Sequence, residues 1–86
     1  MIEVNYKPKF ARKFDSLDRN LQVEVLEKID VFKDPRNHKL LKVHKLHGHL
    51  RNLYSFSVNY KFRIVFQYIS KNDVELLTVG DHDIYK

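Results

Sequence analysis

The sequence predicts an α+β domain of two layers: an N-terminal strand, a helical hairpin, and then a three-stranded antiparallel meander. Three observations predict it. Apolar residues recur at helical spacing between residues 10 and 32, β-branched and aromatic residues crowd the segment 53–80, and only two glycines and two prolines interrupt the chain. At 86 residues there is room for one domain, spanning 1–86, and not for two.

Each element has its own signal. Ile2 to Tyr6 alternates apolar and polar residues and reads as a short strand. Pro8 suits the first turn of a helix, where its missing N–H costs nothing, and Phe10, Phe14 and Leu17 follow at helical spacing. Asp18 is placed to cap a second helix running to about Asp34, with Leu21, Val25, Ile29 and Phe32 as its apolar stripe and Leu26 alongside. About one residue separates the helices, so they should pack as a hairpin. Pro35 stops the second helix, and Arg36 to Lys45 follows as a basic connector. Leu46 to Leu50, with Gly48, reads as a short extended piece or a turn. Leu53 to Asn59 alternates, with Tyr54, Phe56 and Val58 on one side and Ser55 and Ser57 on the other. Asn59-Tyr60-Lys61 is a tight turn into the strongest strand, Phe62 to Ile69. A turn at Ser70 to Asp73 leads to the last strand, ending at Gly80. Helices on one face of such a sheet leave the other face partly open.

Charge is segregated along the chain. The net charge is +5. From Pro35 through Asn72 there is no Asp or Glu, yet that stretch holds Arg36, Lys39, Lys42, Lys45, Arg51, Lys61, Arg63, Lys71 and four of the five histidines. A one-sided positive field attracts and steers a polyanion, so nucleic acid is the expected partner class. A solvated basic surface, or one that meets an acidic protein, is the bland alternative. The chain has no cysteine, which excludes disulfides and thiolate metal sites and fits a cytoplasmic location. No long apolar run suggests a membrane span, and no secretory signal is apparent. His44, His47 and His49 have ligand-like density, but an extended segment would turn His44 away from the other two, so no metal is expected.

The run Leu46-His47-Gly48, then Leu53 to Asn59, then Phe62-Arg63-Ile64-Val65-Phe66 resembles the central pattern of RelE/ParE toxins. Val79-Gly80-Asp81-His82-Asp83-Ile84-Tyr85 resembles the ending common in the RelE branch, which includes RelE, YoeB and YafQ. The element order agrees along essentially the whole chain. This resemblance implies the toxin of a type II toxin–antitoxin pair: an endoribonuclease that cuts messenger RNA on the ribosome, needs no cofactor, and is neutralised by a cognate antitoxin. ParE relatives share the fold but poison DNA gyrase, so fold alone does not decide function. A non-catalytic RNA-binding module is the other alternative.

RNA carries its own nucleophile. Attack of the 2′-hydroxyl on the adjacent phosphorus needs a base for that hydroxyl, positive charge for the phosphorane, and an acid for the leaving 5′-oxygen. Histidine suits the proton-transfer roles and arginine the charge role. Period-two alternation puts Arg63 on one sheet face with Val65 and Gln67, opposite Ile64, Phe66 and Tyr68. It matches the arginine that stabilises the transition state in the RelE branch; the bland reading is an end-of-strand cation that snorkels to water or pairs with an acid such as Asp81. By the same resemblance His82 is the general acid, His44 occupies a general-base position, and Tyr85 orients or stacks on a nucleotide. Lys45, Lys42, Lys39, Arg36, Arg51 and Lys61 are candidate phosphate contacts, which position RNA without reading its sequence. One departure stands out: RelE carries lysines on the strand that here presents Ser55 and Ser57.

Overall fold

The computed structural model describes residues 1–50 and 52–81. In chain order the elements are β1 (Glu3–Tyr6), α1 (Pro8–Asp15), α2 (Arg19–Phe32), β2 (His44–Lys45), β3 (Tyr54–Ser57), β4 (Arg63–Ser70) and β5 (Asp73–Gly80), with short 3₁₀ turns at Pro35–Asn37 and Gly48–Leu50. The strands form one sheet in the order β1-β5-β4-β3-β2. β3, β4 and β5 are the expected antiparallel meander. β1 runs parallel to β5, with Glu3 opposite Asp73 and Tyr6 opposite Leu76. The two-residue β2 adds an antiparallel edge to β3, inside a stretch that alternation alone could not divide.

The helix boundaries follow from local chemistry. Pro8 opens α1. The Asp18 carboxylate accepts from the Leu21 N–H at 2.9 Å and caps α2, as its position predicts. Three residues, 16–18, separate the helices where about one was expected. α2 ends at Phe32, two residues before the predicted Asp34. There the Lys33 N–H bonds back to the carbonyls of Ile29 and Asp30, and Asp34 Oδ1 instead accepts from the Arg36 N–H to open the next turn.

Both helices cover the same face of the sheet. Phe10, Val25, Ile29 and Phe32 pack with Phe56, Ile64, Phe66, Val74, Leu76 and Val79 in one buried cluster. Phe32 is its centre, stacked on Phe56 at 4.4 Å and edge-on to Phe66 at 4.9 Å. Leu26 does not join this cluster and is 53% exposed. It lies about 100° round the helix from Val25, beyond the stripe that meets the sheet.

A bulge in β5 aligns the opposite face. Val65 pairs with Thr78 while Phe66 pairs with Leu76, so Leu77 is the extra residue. The insertion lets Leu76 and Val79 both enter the core, and turns Thr78 and Gly80 outward beside Val65 and Arg63. Without it, the end of β5 would present the wrong side chains to the outer surface.

Candidate nucleic-acid interface

The outer face is built from cross-strand rows. In one row His44 faces Ser55, Ser55 faces Val65, and Val65 faces Thr78. In the next, Ser57 faces Arg63 and Arg63 faces Gly80. Paired residues project from the same side of a sheet, so His44, Ser55, Ser57 and Arg63 share one surface. The face is less open than alternation suggests: Ser55, Val65 and Thr78 are buried, whereas His44 is exposed and Arg63 half-buried. His44, at the end of the first row, and Arg63, in the middle of the second, therefore carry the accessible chemistry. Strand and residue spacings put the Cα atoms of His44 and Arg63 about 12 Å apart on the diagonal.

His44 is held in a defined protonation pattern. Its Nδ1 lies 2.9 Å from the Lys42 carbonyl oxygen. A carbonyl only accepts, so Nδ1 carries the hydrogen, and in the neutral ring Nε2 keeps its lone pair. Nε2 lies 3.5 Å from Ser55 Oγ, on the outer face. Lys42 offers its carbonyl because it adopts a positive φ of 57°, which reverses the chain just before β2.

Arg63 is anchored at the hairpin end. Its Nη1 donates to the Asn59 carbonyl and, at 3.1 Å, to the Phe62 carbonyl. Both acceptors are neutral, so these contacts orient the guanidinium without cancelling its charge. The turn is built by Asn59, whose side-chain oxygen accepts from the Lys61 and Phe62 N–H groups at 2.9 and 2.8 Å. The Asn59 amide in turn donates to Glu24 at 2.8 Å, tying the hairpin to α2.

The remaining candidates are dispersed. Lys39 and Lys42 are exposed on the connector, and Lys61 lies at the hairpin turn with its Nζ 5.6 Å from the Phe62 ring centre. Lys45 pairs with Tyr54, an inward-facing position, so it projects from the opposite side of β2 to His44. Arg36 is engaged by Asp34 through Nε and Nη2, with a shortest contact of 2.7 Å. These hydrogen bonds hold the Asp34 carboxyl down at about 2 and push the Arg36 guanidinium up from its ordinary value. Burial, then the neighbouring Tyr54, raise the Tyr68 phenol on the helix-covered side. Arg51, His82 and Tyr85 lie outside the described residues. Of the clustered histidines, His38 is structural: it stacks on Phe32 at 4.7 Å, and its Nε2 lies 2.9 Å from the Phe32 carbonyl oxygen. Among the described residues no group of His, Cys, Asp or Glu is arranged to hold a metal ion.

No protein-family profile and no curated protein matches the sequence. Solved structures do match. The RelBE2 toxin–antitoxin complex from Mycobacterium tuberculosis is similar over 94% of this chain and 98% of that one, with a TM-score of 0.76 and 18% identity. The RelE–RelB complex from Pyrococcus horikoshii is similar over 93% of each chain, with a TM-score of 0.70 and 18% identity. YafQ from E. coli is similar over 99% and 98%, with a TM-score of 0.70 and 11% identity. The chain has the RelE-like toxin fold.

On this RelE-like fold, sequence reasoning missed two things at the site. Ser55 is the side chain that His44 faces, and the Lys42 backbone carbonyl sets the imidazole tautomer. Composition signals neither, because both depend on the two-residue β2 and its register. No helix among the described residues is long and apolar enough to cross a membrane.

Proposed function

We propose that the protein is the toxin of a type II toxin–antitoxin pair, and that it acts as a metal-independent endoribonuclease on messenger RNA at the ribosome. The observation that carries this reading is the geometry of His44. Its Nδ1–H is committed to a backbone carbonyl, and its Nε2, in only a long 3.5 Å contact with Ser55 Oγ, lies on the sheet face that also carries Arg63. A general base needs an unprotonated nitrogen that the substrate hydroxyl can reach, and here that hydroxyl would replace the long Ser55 contact.

In this mechanism His44 Nε2 takes the proton of a 2′-hydroxyl. The 2′-oxygen bonds to the adjacent phosphorus, and the phosphorane charge develops beside Arg63. The bond to the 5′-oxygen then breaks, and that oxygen takes a proton from His82. One fragment ends in a 2′,3′-cyclic phosphate and the other in a 5′-hydroxyl. Anchoring of Arg63 Nη1 at the turn places its charge before substrate arrives, which limits reorganisation during the reaction. Tyr85 orients the nucleotide, and Lys39, Lys42, Lys61 and Arg51 contribute backbone attraction, while Arg36 is held by Asp34 and Lys45 stands on the other side of β2. Ser55 and Ser57 bring no charge, so the burden of transition-state stabilisation falls on Arg63. The partners are messenger RNA, the ribosome and a cognate antitoxin, and the location is the cytoplasm. Neighbours described as toxin–antitoxin and RelE–RelB complexes support the antitoxin assignment.

The test is a reconstituted translation reaction in which the 5′ ends of the message are mapped and the 3′ ends are examined for cyclic phosphate. Replacing the nucleotide 5′ of the cut with its 2′-deoxy form should abolish cutting there, because it removes the nucleophile. An intact message with inhibited gyrase would replace this reading with the ParE-like one. RNA retained but never cut would replace it with a binding module.

A further inference from the structure

An accessible concavity adjoins the Arg63 end of the outer face, where α2, the connector and the β3–β4 turn meet. It has a volume of about 390 Å³, and Lys28, Leu40, Lys42, Asn59, Tyr60 and Arg63 are among its lining residues. Three of these are cations, and no Asp or Glu is among the lining residues. Tyr60 is 88% exposed and Leu40 76% exposed, so an aromatic ring and an aliphatic side chain stand open to solvent beside these cations. The Asn59–Glu24 hydrogen bond fixes the turn against α2 and so keeps this wall in place. Lys42 serves both regions, its carbonyl orienting His44 and its residue lining the cleft.

We propose that this cleft is a subsite for a nucleotide flanking the scissile bond: Lys28 and Lys42 bind a phosphate, and the Tyr60 ring stacks on a base. The proposal rests on the RNA-cleaving reading, since Arg63 borders both the cleft and the proposed reaction centre. The charge calls for an anion, and a flat exposed aromatic beside it calls for a planar group, which a single-stranded nucleotide supplies together. Stacking is indifferent to base identity, so the subsite extends affinity without imposing a sequence.

The experiment measures binding of oligoribonucleotides carrying a 2′-deoxy residue at the cut position, lengthened one nucleotide at a time on either side. Wild-type protein should gain about fivefold or more in affinity when the flanking base is added on one side. The Lys28→Ala/Tyr60→Ala double variant should lose that gain, and its salt dependence should flatten by roughly one phosphate contact. Tyr60 is at a solvent-exposed turn, and an unchanged amide NMR spectrum outside the cleft confirms that the variant is folded. A wild-type protein with no length-dependent gain overturns the proposal, as does a double variant that keeps the gain. A polyglutamate peptide that displaces the RNA equally well, with Tyr60→Ala inert, also overturns it and assigns the cleft to an acidic protein. A persisting length-dependent gain alongside an uncut message supports the subsite and removes only the nuclease reading.

Discussion

The two faces of β4 are made by the same eight residues under opposite demands. Ile64 and Phe66 point into the helix-covered layer and are fully buried, while Arg63 and Gln67 on the other side are only half-buried. The inner face is fixed by packing, which tolerates no polar atom without a partner. The outer face gives up apolar burial at its ends and keeps a charge near an imidazole. Under the proposed function, stability and activity would reside on different sides of one strand, separated by a single step in sequence.

This comparison can be broken by substitution. Phe66→Ala should cost about 3–5 kcal/mol of stability, enough to unfold much of a domain this small, and denaturant titration would show it. Arg63→Ala should slow message cleavage about 100-fold or more, the scale of losing one transition-state donor, with a much smaller change in melting temperature. Near-normal cutting by that variant would remove Arg63 from the mechanism, and a stability loss as large as that of Phe66→Ala would erase the division between the faces. Asp18→Ala should cost about 1 kcal/mol by removing the α2 cap, with cleavage unaffected at temperatures where the variant is folded. The smallest effect belongs to Asp34. Its carboxyl is held at about 2 against an ordinary 3.8, so its pairing favours the folded state above pH 3.8 and is lost as pH falls through about 2. A carbon-detected NMR titration of Asp34 should show this depressed midpoint, and Arg36→Ala should return it towards 3.8.

Much of the architecture was legible because it rests on local pattern. Alternation from Leu53 onward assigned the sides of Phe56, Ser55, Ile64 and Arg63, and the Asp18 cap located the start of α2. What escaped depends on contacts distant in sequence. The β2 strand is two residues long and exists only because His44 and Lys45 find Ser55 and Tyr54. The exposure of Leu26 reflects where α2 rests on the sheet, which its own periodicity leaves open by one helical step. The acid-free stretch correctly marked basic exposed residues, yet it could not separate Lys45 from His44, which point to opposite sides of β2. Arg36 looked like another phosphate contact, although the last carboxylate before that stretch, Asp34, holds it. Charge segregation in sequence thus located exposed cations but not the side of the sheet that each one takes.

The parallel pairing of β1 with β5 has a consequence for biosynthesis. Glu3 to Tyr6 leave the ribosome early, yet their hydrogen-bonding partners are residues 73–76. The first of these strands to be translated therefore has no strand partner until residues 73–76 have been made, and the sheet cannot be completed before then.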